Sequence, residues 1–136
     1  QDYDEVIALL EIAPLPTQDL RRGSMAHFVT ARNASGRLIG AIGVEQYGRH
    51  ALLRSLVVAP DHRNRGVAAG LVAELEARCI SLTVAELFLL TTTAEGFFAG
   101  QGYSAVGRES VPAALRATAE FTRLCPDTAV CMFKSL

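Results

Sequence analysis

Leu52-Leu53-Arg54-Ser55-Leu56-Val57-Val58, then Ala59-Pro60-Asp61-His62, then Arg63-Asn64-Arg65-Gly66-Val67-Ala68 is the stretch on which the reading of this chain turns. The first seven residues have the composition of a strand, and Pro60 closes it. Beyond Pro60 the apolar period changes from two to near four. Val67, Leu71, Leu75 and Cys79 then stack on one face with Val72 beside them, which predicts a long amphipathic helix. A loop feeding a helix N-terminus presents unpaired backbone N–H groups and the positive end of the helix dipole, a setting suited to phosphate. Gly66 lets the backbone approach a ligand closely, Arg63 and Arg65 add charge, and Val67 and Ala68 keep the first turn low enough for a pyrophosphate to rest on it. Taken alone, the spacing Arg-x-x-Gly-x-Ala fits a solvated basic turn ahead of a helix equally well.

Upstream, Val6, Leu9, Leu10 and Ala13 recur at helical spacing and the pattern stops at Pro14 and Pro16. Thr17 reads as the N-cap of a brief second helix through Leu20, ending near Gly23, and Met25 to Ala31 read as a strand. After a turn at Asn33-Ala34-Ser35-Gly36, strands Leu38 to Tyr47 and Ala51 to Ala59 join around Gly48, making an antiparallel meander. Downstream come a strand Glu86 to Thr91, a short helix Ala94 to Gln101, Gly102 as its C′ residue and a strand from Tyr103. Pro112 opens a helix through about Ala119, and Val130 to Lys134 form a last strand. A meander followed by strand, helix, strand, helix, strand predicts an α/β fold with a mixed sheet, and no linker divides residues 1–136, so a single domain is expected.

At 136 residues the chain can bury roughly two-thirds of its unfolded surface. Half its residues are hydrophobic, a fifth are charged and the formal net charge is -1, which places it among globular proteins and gives it no field to gather a polyanion. Nucleic acid is therefore not expected as a partner. Nor is a membrane, since no apolar run approaches the roughly 20 residues of a span, and the acidic start Gln1-Asp2-Tyr3-Asp4-Glu5 is unlike a signal peptide; a cytoplasmic protein is expected. Cys79, Cys125 and Cys131 are odd in number and lack CxxC spacing, so neither a disulfide framework nor a metal site is signalled.

The loop Arg63–Ala68 follows an apolar strand and a Pro, precedes a well-formed helix, and stands one strand ahead of a short helix ending in Gly-aromatic. In this context the sequence from about Leu38 to Tyr103 resembles the GNAT acetyltransferases. The resemblance implies a GNAT fold, a mixed sheet flanked by helices. It also implies acetyl-CoA as co-substrate, with its pyrophosphate on Arg63, Asn64, Arg65, Gly66, Val67 and Ala68, and its pantetheine and acetyl carbonyl against the strand residues Leu56, Val57 and Val58. Thr91-Thr92-Thr93-Ala94-Glu95-Gly96-Phe97-Phe98 is similar to the matching segment of glutamate N-acetyltransferases. Leu115-Arg116-Ala117-Thr118-Ala119-Glu120-Phe121, with Leu124-Cys125-Pro126 and Cys131-Met132, is similar to arsenic-resistance N-acetyltransferases, a likeness running from Leu9 onward. Two departures stand out. Phe98 occupies the place of a Tyr that in many members protonates the leaving thiolate, with Tyr103 read as a core aromatic in preference to a displaced acid. The family's opening strand, which the resemblance places before the first helix, is expected to be absent or trimmed here.

Acetyl transfer to nitrogen needs a neutral amine, a polarised thioester and a thiolate able to leave; a thiol of pKa near 8.5 leaves acceptably without an acid. Glu45 is the candidate base, with apolar neighbours expected to desolvate it; an exposed strand carboxylate is the alternative, and His27, His50 and His62 are weaker choices. Arg54 lies mid-strand and a buried Arg needs a partner, either a substrate carboxylate or Glu45 across the hairpin. Arg116 is a second candidate anion clamp, and Ser55, Thr91 and Thr92 are candidate acceptor contacts. The expected acceptor is a small amino-acid-like amine, the expected metal none, and a homodimer is left open. Two further readings are a non-catalytic acyl-CoA sensor and a trivalent-arsenic thiol site at Cys125 and Cys131.

Overall fold

The computed structural model describes residues 2–13, 15, 17, 18, 20, 27–118 and 128–136. Helix α1 spans Asp2–Ile12, followed by strands β1 (Phe28–Arg32), β2 (Leu38–Tyr47) and β3 (His50–Val58). Helix α2 (Val67–Ser81), strand β4 (Glu86–Thr91), helix α3 (Glu95–Gly100), strand β5 (Ser104–Ala105), helix α4 (Ala113–Arg116) and strand β6 (Val130–Ser135) complete the order. The strands form a six-stranded sheet in the order β1-β2-β3-β4-β6-β5, mixed because β3 and β4 run parallel while β1–β2, β4–β6 and β5–β6 are antiparallel. The expected α/β fold with meander first is therefore the one observed. None of the described helices is long and apolar enough to cross a membrane.

The chain packs as two compact units, Gln1–Val44 with Ser55–Ala77 and Glu45–Arg54 with Arg78–Leu136. In the first, Val6, Leu9 and Leu10 of α1 meet Phe28, Leu38, Ile39, Ala41, Val57 and Ala59, so the helical period read at the N-terminus is the buried face of α1. The first seven residues of β2 are all buried, which places both faces of this strand inside and explains its unbroken apolar run. Two glycines make that burial sterically feasible. A Cβ at Gly43 would stand 2.8 Å from the ring of its cross-strand partner Phe28, and one at Gly40 would stand 3.0 Å from Leu71 Cδ1 of α2. In the second unit Leu52, Phe88, Val111, Leu115 and Cys131 form the core.

Several element bounds differ from expectation for local reasons. The strand expected from Met25 is β1, starting at Phe28; Met25 and Ala26, like Pro14, Pro16, Gly23, Ala119 and Cys125, lie outside the described residues. The helix expected from Pro112 to about Ala119 is only Ala113–Arg116, because Pro112 caps its start and the Thr118 hydroxyl turns back to donate to the Leu115 carbonyl at 2.7 Å. The strand expected from Tyr103 is two residues long, and Tyr103 instead closes α3. Its N–H donates to the Phe98 carbonyl while the Gly102 N–H donates to Ala99, a Schellman ending with Gly102 at φ +95°. The accompanying apolar contact is the edge-on pair of Phe98 and Tyr103, 5.5 Å between ring centres.

Candidate functional site

In the first unit, β3 ends in the 3₁₀ turn Pro60–His62, and the chain then enters the loop Arg63–Gly66 ahead of α2. Asn64 (φ +64°) and Gly66 (φ +80°) are both left-handed, with Arg65 between them. Glycine adopts this backbone conformation without the strain a Cβ brings. The space beyond it is open, with no atom within 4 Å of where a Cβ would stand. The Gly70 N–H donates to the Gly66 carbonyl at 3.0 Å, so Gly66 caps α2, and the first-turn N–H groups that follow have no carbonyl partner within the helix. Arg63, Asn64, Arg65 and Gly66 are exposed, and Val67 and Ala68 are half-buried. Asp61, the carboxylate nearest in sequence, is turned to Arg37 (2.8 Å) and His62 (3.0 Å), which hold its carboxyl well below the usual carboxylate range. Exposed donors, two arginines and an open face above a glycine fit an anionic phosphate group.

Of the strand residues expected to meet pantetheine, Val57 is buried in the core of its unit while Leu56 and Val58 are half-buried. Just before them Ser55 has φ +60° in the middle of β3, a backbone irregularity that nothing in its sequence signals.

In the second unit, Arg54 and Glu45 face each other on β3 and β2. Arg54 Nη1 donates to Glu45 Oε2 at 2.9 Å, with the Arg54 side chain 2 % exposed and that of Glu45 30 %. The other Glu45 oxygen accepts from the Tyr47 hydroxyl at 2.8 Å. Glu45 is thus held by a cation and a phenol in place of the apolar surroundings expected for it, and Arg54 has the protein partner that was one of its two alternatives. Sequence reasoning did not include Tyr47, although its two-residue spacing from Glu45 puts both on one face of β2.

The remaining candidates sit elsewhere in this unit. The Thr91 hydroxyl oxygen accepts the Ala94 N–H at 2.9 Å, so it supports the start of α3. Thr92 is exposed beside it, and Arg116 is exposed at the end of α4. Phe98 is buried against Phe97 and Tyr103. Tyr103 is itself buried, with Lys134 Nζ 5.6 Å from its ring centre, as expected of a core aromatic. The weaker base candidates are engaged in part. His62 meets Asp61, and His50 Nδ1 lies 3.1 Å from Glu86 Oε1 without forming a hydrogen bond. Cys131 is buried, and burial pushes its thiol up to about 11 against the pull of Arg108.

The model of the Acetyltransferase (GNAT) family matches residues 3–103, and the chain belongs to this family. It is 36% identical over 78 residues to an uncharacterized N-acetyltransferase of Chlorobaculum tepidum, a match covering 57% of this chain and 50% of that protein. In fold it is similar to N-acetylglutamate synthase from Neisseria gonorrhoeae complexed with coenzyme A and N-acetyl-glutamate, with TM-score 0.85 and 17% identity over 99% of this chain and 33% of that one. A protein from Mycobacterium tuberculosis solved in complex with CoA gives TM-score 0.82 and 19% identity, covering 99% of this chain and 94% of that one. The chain thus spans half the length of the curated relative it matches and a third of the Neisseria enzyme.

Proposed function

We propose that this chain is an acetyl-CoA-dependent N-acetyltransferase acting on the amine of a small amino-acid-like acceptor by direct attack in a ternary complex. The observation that carries the reading is the loop Arg63–Gly66, whose two left-handed residues and exposed arginines lead into the N-terminus of a fifteen-residue helix. Membership of the GNAT family supports this reading, in which the loop takes the pyrophosphate of acetyl-CoA and the backbone of Leu56, Val57 and Val58 runs along the pantetheine. Acetyl-CoA supplies the acetyl group already activated as a thioester. The protein's part is to hold both reactants and to take the amine proton. Glu45 is the group proposed to accept that proton, directly or through a water, because it is the partly exposed carboxylate beside the buried cation Arg54. With Phe98 apolar and Tyr103 buried, the departing thiolate takes its proton from solvent.

The amino-acid class of acceptor follows from charge. Arg116 is an exposed guanidinium for a carboxylate and Glu45 a partly exposed carboxylate for an ammonium, while Arg54, buried on Glu45, is the alternative clamp where that pair shapes one site with the acceptor. The solved neighbour complexed with N-acetyl-glutamate supports the same class, and the resemblance of residues 91–98 to glutamate N-acetyltransferases agrees with it. The likeness to arsenic-resistance enzymes makes amino-acid analogues bearing arsenic or phosphorus worth inclusion among the acceptors. A cytoplasmic single domain over 1–136, with a homodimer left open, completes the reading. The arsenic-thiol alternative is weaker, since Cys131 is a buried neutral thiol.

The test is CoA release from acetyl-CoA over a panel of amino acids, their phosphinate and arsenical analogues, their decarboxylated amines and polyamines. Wild type, Arg54→Lys and Arg116→Lys are compared. Amino acids are expected to be the better substrates, and the true clamp is expected to raise acceptor KM when its fork is reduced to a point charge. Preference for the decarboxylated amines, or an acceptor KM that neither arginine moves, removes the amino-acid class. Binding of acetyl-CoA with no CoA release over any acceptor leaves a sensor module in place of an enzyme.

A further inference from the structure

We infer that Asp61 is a positioning residue for the cofactor loop, holding Arg63–Gly66 in its binding shape by gripping Arg37 at the foot of β2. The inference rests on the reading that this loop takes the pyrophosphate of acetyl-CoA. Two residues ahead of Arg63, a carboxylate is electrostatically adverse to an anionic ligand, so its presence calls for another role. Its geometry supplies one. Asp61 Oδ2 accepts from Arg37 Nη1 at 2.8 Å and Oδ1 accepts from Nη2 at 3.3 Å, a two-point grip, while His62 Nδ1 lies 3.0 Å from Oδ1.

Arg37 is a firm anchor because the turn before it is closed by Asn33. The Asn33 side-chain oxygen accepts the N–H of Ser35 at 3.1 Å and of Arg37 at 3.0 Å, and the Asn33 N–H donates to the Arg37 carbonyl at 3.0 Å. The next residues of β2 continue the support. The Ala59 N–H donates to the Ile39 carbonyl at 2.7 Å, and Gly40 lets Val67 and Leu71 of α2 settle where a Cβ would stand 3.1 Å and 3.0 Å away. Residues 37 to 40 therefore fix the chain on both sides of Arg63–Gly66, which is itself exposed and carries a non-glycine residue in the left-handed region. A segment so lightly packed spends part of its time in other conformations, and ligand affinity falls with the fraction that is competent. The Arg37–Asp61 pair is exposed, so its contribution to folding is small and its loss shows in the loop before it shows in stability.

Charge and positioning predict opposite signs for Asp61→Asn. Removing a negative charge beside a phosphate site tightens acetyl-CoA on charge alone, and loosening the loop weakens it. By calorimetric titration of the full chain with acetyl-CoA, Asp61→Asn is expected to raise Kd about 3- to 10-fold, a change of the order carried by one net hydrogen bond. The melting temperature and acceptor KM stay near wild type. Arg37→Ala is expected to act in the same direction, and the double variant to be little worse than the weaker single, because both remove one contact. Wild-type binding of acetyl-CoA with Asp61→Asn equal to it or tighter overturns the inference and leaves the cofactor site standing. No binding of acetyl-CoA by the wild type overturns the functional reading and the inference with it.

Discussion

The loop Arg63–Ala68 and the group Glu45, Arg54, Thr91 and Arg116 differ in how each comes into being. The loop consists of consecutive residues, and what it offers a ligand is mostly backbone: left-handed Asn64 and Gly66, then the open first turn of α2. The second group is drawn from β2, β3, the end of β4 and α4, and what it would offer a ligand is side chains. There the fold has already spent some of the available chemistry. Arg54 and Glu45 satisfy each other, and the Thr91 oxygen supports α3. The proposed cofactor loop is thus laid down locally, while the proposed acceptor group depends on where separate elements bring its side chains.

Removing the pair that joins β2 and β3 gives the largest expected effect on that contrast. Arg54→Ala is expected to lower the free energy of unfolding by about 3 kcal/mol, because it leaves a hole at a side chain that is 2 % exposed and strips Glu45 of its cation. Arg54→Met, similar in length and uncharged, is expected to recover a good part of it. Denaturant titration of both variants decides whether the pair is structural; an Arg54→Ala protein as stable as wild type means the pair does little for the fold.

Glu45→Gln keeps an oxygen for Arg54 and removes the proposed base. Its kcat is expected to fall about 100-fold near neutral pH with KM for acetyl-CoA unchanged, measured where chemistry limits turnover. An unchanged rate passes the proton directly to water. In the other region, Gly66→Glu puts a negative charge and a strained residue at φ +80°, and acetyl-CoA affinity is expected to fall 10-fold or more. Asn at the same position tolerates the left-handed backbone better and adds no charge, so Gly66→Asn separates strain from repulsion. Unchanged affinity in a folded Gly66→Glu protein sinks the loop as the site.

The smallest effect concerns Cys131, which the fold buries and no proposed step uses. Its folded value of about 11 lies above the ordinary thiol value of about 8.5, so the unfolded chain holds fewer protons between these pH values. Its contribution to stability is whole below about pH 8.5 and is lost as pH rises toward 11, at no more than about 1.4 kcal/mol per pH unit. Cys131→Ala is expected to flatten that part of the stability profile, read by chemical denaturation from pH 8 to 10.5. A slope equal to that of wild type assigns the loss to other groups.

Order along the chain was legible without coordinates wherever a structure is made by neighbours in sequence. The period of α1 and of α2, the turn at Asn33–Gly36, the extent of β2 and the Gly102 ending of α3 all depend on residues a few positions apart, and each is found where the pattern placed it. The loop into α2 belongs with these as a local element, because a proline, a glycine and the onset of a helical period mark it in sequence, while the left-handed φ of Gly66 came from the structure. Tertiary structure alone decided which of its two open partners Arg54 took, that Tyr47 joins Glu45, that Asp61 turns to Arg37, and that Ser55 breaks the regular run of β3. The physical reason is common to these cases. A side chain with two chemically adequate partners is committed only when strand register and burial bring one of them within hydrogen-bond reach, and register is a property of the assembled sheet.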